Sequence, residues 1–254
     1  MSAAKLAAKA VGGGVVYLGG TLFAYEYFRP VPALPDACER CHTFQSLAPK
    51  YDLEIEKDER SSGILELRRE ITAHAKGKVL EVAGGTGRNL AFYTDAVAEL
   101  TIGDFSEEML KIAAGKVARM RADGSGVCPS QVTLAVIDAA KMPLETAQYD
   151  TVLDSFGVCS FEQPQAALQE MKRVCRPGGS ILLLEHGVSD WSLLAWWQQH
   201  RLNRHVVRWG CYWNRDILAE VKKAGLNVVE SRRLHFGTTY YIRCQLPEGA
   251  APAG

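Results

Sequence analysis

The stretch VLEVAGGTGRNL, residues 79 to 90, decides the fold of this 254-residue chain. A predicted strand ends at Glu81, and a turn with Gly84, Gly85 and Gly87 follows it. Glycine lets a backbone take positive φ and approach a bound molecule closely. The stretch therefore predicts a strand, a tight glycine turn and the start of a helix, where free N–H groups face a ligand.

A glycine turn alone does not define a class, because dinucleotide-binding folds carry one too. Their G-x-G-x-x-G spacing would place a third glycine at position 90 after Gly85 and Gly87, and that residue is Leu90. The spacing therefore argues against an NAD-dependent oxidoreductase.

Short apolar runs alternate with amphipathic helical segments along the rest of the chain. The predicted strands are ELTIGD (99–104), VTLAVID (132–138), YDTVLDSF (149–156), SILLLEHG (180–187), NVVESRRLHF (227–236) and TTYYIRCQL (238–246). Segments 88–96, 106–122 and 163–175 between them are predicted helices. This alternation is typical of parallel βαβ units and predicts a doubly wound α/β sheet, with the last two strands as an antiparallel edge.

Composition excludes two classes of protein. The 29 basic and 29 acidic side chains cancel, so no basic field exists to concentrate nucleic acid. The seven cysteines are an odd number, and most lie within apolar or helical patterns. We therefore expect neither general nucleic-acid binding nor a disulfide framework.

Three further features follow the glycine turn in order. Asp104 ends the second strand, Asp138 and Ala139 end the third, and the segment 176–179 (RPGG) precedes a strongly apolar strand. Together these motifs resemble the class I S-adenosyl-L-methionine (SAM)-dependent methyltransferases over about residues 44 to 244. The resemblance implies an α/β, doubly wound, mostly parallel seven-stranded Rossmann-like sheet, with SAM as cofactor.

The resemblance also assigns site residues. Asp104 would hold the ribose, Phe105 and Met109 would pack on the base, and Glu81 would order backbone N–H groups. The family's first loop glycine is replaced by Ala83, whose methyl group could crowd the cofactor. The implied SAM-binding residues are Glu81, Ala83, Gly85, Gly87, Asp104, Phe105, Met109, Asp138, Ala139 and Ser155.

Two residues are candidates for catalytic roles. His186 follows a strand at the ligand-binding end of the sheet and could deprotonate an acceptor, since an unperturbed histidine titrates near neutral pH. Tyr51 could cover SAM as a lid. Both could instead be packing residues, and Asp138 could be a helix N-cap. The sequence predicts no metal site.

Closer resemblances concern the acceptor. FQSLAPKYD (44–52) and SFGVCS (155–160) resemble the ubiquinone/menaquinone C-methyltransferases. Together with YDLEIEKDE, GTGRN, LLLEHG, WGCYWN and HFGTTY, they resemble the fungal mitochondrial inner-membrane methyltransferase-like family. Membrane-bound thiol methyltransferases are similar more distantly, because they too combine a membrane anchor with a methyltransferase domain. The resemblance implies a small apolar, quinone-type or thiol acceptor; the alternative is a catalytically silent assembly factor that binds proteins at the inner membrane.

The N-terminus differs from the rest. Residues 10–25 carry no charge, and the segment 10–28 would rise about 28 Å as a helix, close to the thickness of a bilayer core. We expect a membrane anchor; a cleaved secretory signal and a surface tail stay open. The predicted organisation is a targeting/transmembrane segment (1–29), a linker (30–50), a methyltransferase domain (51–246) and a disordered tail (247–254), in a single-pass protein of the mitochondrial inner membrane.

The stretch CERCH (38–42) matches the signature of covalent haem attachment. It lies in a proline-rich segment before a chain committed to another fold, so we do not expect a cytochrome. A labile redox pair, a metal contact and a coincidence are the remaining interpretations.

Overall fold

The computed structural model describes residues 17, 20, 21, 24, 25, 27–124 and 131–249. The chain divides into two units, residues 1–33 and 34–254. In the first unit, the described residues from 17 to 28 are helical. Most of the predicted anchor (10–28) and residues 250–254 of the predicted tail lie outside the described residues. Within the described part, no helix has both the length and the apolar character needed to cross a bilayer.

The second unit contains a seven-stranded sheet in the order β3-β2-β1-β4-β5-β7-β6. Strands β1 to β5 pair in parallel, and β7 is antiparallel to both β5 and β6. The predicted mostly parallel sheet with an antiparallel edge is therefore confirmed. The strands are β1 (Gly77–Val82), β2 (Val97–Asp104), β3 (Gln131–Val136), β4 (Tyr149–Ser155), β5 (Cys175–His186), β6 (Val228–Leu234) and β7 (Thr239–Gln245).

Helices cover the sheet on both faces. The central strands carry apolar side chains on both faces, and both sets have to be buried. On β1, Val79 belongs to one apolar cluster and Leu80 to another, because successive side chains of a strand point to opposite faces. The helices are α1 (Ala37–Leu47), α2 (Tyr51–Ser62), α3 (Ile64–Thr72), α4 (Glu107–Asp123), α5 (Pro164–Val174), α6 (Ser192–Trp209) and α7 (Ile217–Lys223).

The linker prediction is wrong for residues 37–47, which form helix α1. Asp36 caps this helix: its Oδ1 accepts the Glu39 N–H at 2.8 Å, and its own N–H donates to Glu39 Oε2 at 2.9 Å. This reciprocal capping box satisfies two backbone donors and starts a helix directly after Pro35. The CERCH stretch therefore lies on α1, with Cys38 exposed and Cys41 half-buried.

The helix predicted over 88–96 is also wrong, since only Leu90–Phe92 form a short 3₁₀ helix there. Gly87 has φ +72°, which interrupts right-handed geometry just before this segment. Asn89 then turns its side chain inward to Glu81, and Tyr93 is extended. Local polar contacts thus replace the expected helix.

Candidate active site

A cavity of about 410 Å³ opens at the carboxyl ends of the parallel strands. Its position is the switch point of the sheet, where β1 has β2 on one side and β4 on the other. Open α/β sheets bind ligands at this point. The cavity brings together most of the predicted site residues, namely Tyr51, Glu81, Ala83, Gly85, Asp104, Phe105, Met109, Asp138, Ala139 and Ser155. Gly87 and His186 are not among the residues that line it.

Asp104, the last residue of β2, is the most constrained of these groups. Its Oδ2 accepts the Gly85 N–H and its Oδ1 accepts the Ser106 N–H, both at 2.8 Å. The carboxyl is only 6% exposed, and burial raises its pKa to about 6 in spite of these two hydrogen bonds. Each oxygen keeps a lone pair, so the group can accept further hydroxyl donors from a molecule in the cavity.

The glycine turn faces this cavity, and the free space beside its backbone lies at Gly85. A Cβ atom added to Gly85 would meet nothing closer than 4.0 Å, and φ at Gly85 is +55°. At Gly87, by contrast, a Cβ would lie 2.6 Å from Leu90 Cδ1, and at Gly84 it would lie 2.4 Å from Ile102 Cγ2. Gly85 is therefore the position at which a ligand can approach the backbone, whereas the other two glycines pack against the protein.

Ala83, the departure from the family pattern, lines the cavity with a φ of +48°. A left-handed backbone conformation costs a residue with a Cβ about 1–2 kcal/mol. Its methyl group faces Gly157, where an added Cβ would lie 2.7 Å from Ala83 Cβ. The extra carbon is thus accommodated by a glycine on the neighbouring strand end.

Glu81 has side-chain partners rather than the expected backbone N–H groups. Oε1 accepts from Asn89 Nδ2 at 2.9 Å and Oε2 accepts from the Tyr93 hydroxyl at 2.7 Å. The side chain is buried, and burial raises its pKa to about 7. Asn89 Nδ2 also donates to Ser155 Oγ at 3.1 Å, so Glu81 fixes the floor of the cavity through Asn89.

An ionic network that sequence reasoning missed lies beside this floor. Arg68 on α3 is 3% exposed, and its guanidinium donates to Glu59 at 2.7 Å and to Asn89 Oδ1 at 3.0 Å. Arg88 donates to the same Glu59 carboxylate at 2.6 Å. Nothing in the spacing of α2, α3 and the turn indicates that these charges meet, because they come from three separate segments.

Asp138 lies after β3 and is exposed. Its Oδ1 accepts the Ala140 N–H at 2.9 Å within a turn. The helix N-cap interpretation is wrong, because residues 139–163 contain no helix. Ala139 and Asp138 nevertheless both line the cavity. Oδ2 takes no part in that turn contact.

Part of the cavity lining is aromatic. Phe44 on α1 meets Phe105 edge to face at 5.7 Å, and Phe156 follows β4 with a φ of +64°. Tyr51 packs with Phe44 around the buried Met109. Burial raises the pKa of the Tyr51 phenol to about 12, so it stays protonated at neutral pH and can donate a hydrogen bond but cannot act as a base.

Arg40 ties α1 over the mouth of the cavity. Its guanidinium is 3.2 Å from Glu162 Oε2 and donates to the Tyr212 hydroxyl at 2.9 Å. Arg40 and Glu162 both line the cavity, and neither was predicted from the sequence. A long-range contact of this kind leaves no local signal in a sequence.

His186 packs behind the wall. Its ring lies 4.3 Å from the Phe156 ring, and its Nδ1 is 3.8 Å from Cys211 Sγ. Its surroundings agree with the packed-histidine interpretation, because Phe156 stands between the imidazole and the cavity.

Comparison with solved structures identifies the fold. The chain superposes on the [4+2]-cyclase SpnF with a TM-score of 0.65 at 15% identity, covering 86% of this chain and 99% of that one. It superposes on a SAM-dependent methyltransferase from Aquifex aeolicus with a TM-score of 0.52 at 18% identity, covering 81% and 98%. The mostly parallel seven-stranded sheet is that of the class I methyltransferase fold.

Sequence relatives then define the family. A family model described as a methyltransferase domain matches residues 80–183. The mitochondrial methyltransferase OMS1 of Saccharomyces cerevisiae is 32% identical over 209 residues, which are 78% of this chain and 44% of that protein. The ubiquinone/menaquinone biosynthesis C-methyltransferase UbiE of Pseudomonas paraeruginosa is 31% identical over 183 residues, 69% of this chain and 67% of that protein. The chain belongs to the class I SAM-dependent methyltransferases, whose methyl donor is SAM.

The matched region is shorter than these relatives. It spans less than half of the yeast protein and about two thirds of the bacterial ones.

Proposed function

We propose that this chain is an active methyltransferase that transfers a methyl group from SAM to a small apolar acceptor of the quinone or thiol kind. One observation carries the proposal: a buried strand-end carboxylate, the open side of a glycine turn and an aromatic wall share one cavity. Its volume of about 410 Å³ is in the range of small-molecule sites.

The residues of the cavity fit SAM. Asp104 offers acceptor lone pairs for the ribose hydroxyls, and the open side of Gly85 leaves room for the methionine part. Phe105 and Met109 provide apolar surface for the adenine, beside Asp138 and Ala139. When bound, SAM supplies an electrophilic methyl group on a sulfonium, and the protein's task is to hold donor and acceptor in line.

The side chains that line the cavity support the proposed class of acceptor. Phe44, Phe156 and Phe161 line it and favour a flat or aliphatic apolar molecule. The protonated Tyr51 hydroxyl can orient an acceptor oxygen or sulfur, and Arg40 with Glu162 can exclude water at the mouth. The bacterial relatives are named for a quinone pathway, which agrees with such an acceptor.

The site of action is part of the proposal. The segment 10–28, which is uncharged from residue 10 to residue 25, supports a membrane anchor, and the name of the yeast relative supports a mitochondrial location. We infer a catalytic domain, 51–246 with α1 added, that works at the inner membrane, where apolar acceptors dissolve.

Calorimetric titration of the full chain with SAM tests the cofactor site. We expect the parent to bind and Asp104→Ala to lose at least ~100-fold in affinity, because two backbone donors and the ribose hydroxyls lose their acceptor. Glu145→Ala, at an exposed turn away from the cavity, is the matched control. A folded parent that does not bind SAM would contradict the proposal, and an Ala83→Gly variant that then binds would identify the Ala83 methyl group as the obstruction.

Transfer of a labelled methyl group from SAM to a quinol analogue and to an alkyl thiol tests the acceptor class. We expect turnover with one of the two acceptors. Tight SAM binding without transfer to either, or to a membrane extract, would favour the catalytically silent assembly factor instead.

A further inference from the structure

A second cluster of reactive side chains lies behind the aromatic wall, outside the cavity. Cys159, His186 and Cys211 place one donor atom each within 4.8 Å of the others. Cys159 Sγ and Cys211 Sγ are 3.3 Å apart, and Cys211 Sγ is 3.8 Å from His186 Nδ1. The three come from the loop after β4, the end of β5 and the segment after α6.

We propose that Cys159, His186 and Cys211 form a binding site for a thiophilic d¹⁰ cation, Zn²⁺ in the first place. Two thiolates and an imidazole are a donor set that zinc prefers, with water as the fourth ligand. In a tetrahedral site with Zn–S bonds of ~2.3 Å, the two sulfurs stand ~3.8 Å apart, so an opening of about half an ångström suffices.

The cluster is held in place before any ion binds. Cys159 N–H donates to Glu185 Oε2 at 3.0 Å, and Val158 N–H donates to Asp154 Oδ2 at 2.7 Å. The Tyr212 N–H donates to the Cys159 carbonyl at 2.9 Å, which joins the two cysteine segments directly. Preorganised ligands of this kind lose little conformational entropy when a metal binds.

Charge also favours a divalent cation. Cys159 is fully buried and Cys211 is 5% exposed, so an unpaired charge there would be strongly unfavourable. Zn²⁺ with two thiolates and a neutral imidazole carries no net charge, and the two thiol protons leave to solvent on binding. A disulfide would need only the two cysteines, whereas the imidazole at 3.8 Å supplies a third donor.

An ion bound at the proposed site would restrain the aromatic wall of the cavity. The His186 ring lies 4.3 Å from the ring of Phe156, which lines the cavity. A bound ion would therefore fix the loop 156–160 and the aromatic wall. The role is structural, and methyl transfer needs no step at the metal.

Cobalt(II) titration of the reduced full-length protein tests the proposal. We expect one equivalent to give a thiolate-to-cobalt charge-transfer band, and Zn²⁺ in a chelator competition to displace the cobalt. Cys211→Ala should weaken binding by more than ~100-fold, beyond the loss typical of outer-shell substitutions. Cys244→Ala removes another buried thiol, on β7, and should leave binding unchanged.

Two further variants keep the test decisive. His186→Gln, at a half-buried position, should also weaken binding, and it answers the question if Cys211→Ala does not fold. The double variant Cys38→Ser/Cys41→Ser removes the thiols of the CERCH stretch and should bind as the parent does. Binding that follows Cys38 and Cys41 instead would overturn the proposal.

Two other results would also overturn it. One is a reduced, folded parent that binds neither cobalt nor zinc. The other is purified protein with Cys159 and Cys211 joined as a disulfide and no metal affinity after reduction. Preference for Cu⁺ over Zn²⁺ in the same competition would keep the site and change its ion.

Discussion

The two walls of the cavity differ in how the chain builds them. The turn side, residues 81–109, is one continuous segment in which Glu81, Gly85 and Asp104 are placed by two strands and the loop between them. The opposite wall, called here the cap side, takes Phe44 from α1, Arg68 from α3 and Phe156 from the loop after β4. The turn side forms within one segment, whereas the cap side forms only when distant segments pack together. Substitutions on the two sides should therefore have different effects.

The largest effect is expected where the cap side meets the turn side, at Arg68. Arg68→Ala removes the donor to Asn89 Oδ1 and leaves the buried Glu59 carboxylate with Arg88 as its remaining cation. Breaking a buried pair costs up to about 3–5 kcal/mol of unfolding free energy, and Arg88 should keep the loss toward the lower end of this range. The neighbouring Arg69→Ala breaks an exposed ion pair with Glu66 and a contact with the Phe92 ring, and it should cost about 1 kcal/mol. Denaturant unfolding of both variants measures the difference, and equal losses would mean that the buried network does not join the two sides.

Gly157 tests the direct contact between the sides. A Cβ there would lie 2.2 Å from Asp154 Oδ1 and 2.7 Å from Ala83 Cβ, so Gly157→Ala should cost about 1–3 kcal/mol and weaken SAM binding. Gly115→Ala on the exposed face of α4 meets nothing within 4 Å and should stabilise by about 0.5–1 kcal/mol. Thermal unfolding with calorimetry checks both. A Gly157→Ala variant with the stability and SAM affinity of the parent would show that the two sides are further apart than the structure has them.

The smallest effect belongs to the turn side alone and concerns pH. The pKa of Asp104 is raised to about 6 by burial, so its ionised fraction grows from about one tenth at pH 5 to nine tenths at pH 7. Ribose hydroxyls donate to the ionised form, and SAM affinity should therefore rise about tenfold over this interval. Titrations at several pH values measure it, with Asp104→Asn as the control that should bind weakly and lose the slope.

The raised pKa of Asp104 affects stability in the opposite direction: SAM affinity should rise with pH, whereas the free energy of unfolding should fall. The folded-state pKa of Asp104 lies above its ordinary value of 3.8, so the folded protein holds more protons between these values than the unfolded chain does. The contribution of this group to the unfolding free energy is then largest at low pH and falls as pH rises through about 6. Asp104 thus reduces stability at neutral pH, where its ionised form is required for binding.

The sequence by itself determined the sheet and the turn side. Alternation of strands and helices predicted the mostly parallel sheet, and the glycine turn with Asp104 predicted where the cavity opens. These features were readable because strand period, glycine φ and strand-end position are properties of short, continuous segments. Where side-chain contacts prevailed, as at residues 88–96, the local prediction was wrong, because Asn89 and Tyr93 bond to Glu81 instead of continuing a helix.

Only the tertiary structure decided the cap side and the cysteine–histidine cluster. Arg40 reaches Tyr212, Arg68 reaches Asn89 and Cys159 reaches Cys211 across long stretches of chain. It also placed His186 behind Phe156 rather than in the cavity. The physical reason is that such contacts depend on which strand ends the sheet brings side by side, and residue spacing along the chain does not encode that distance.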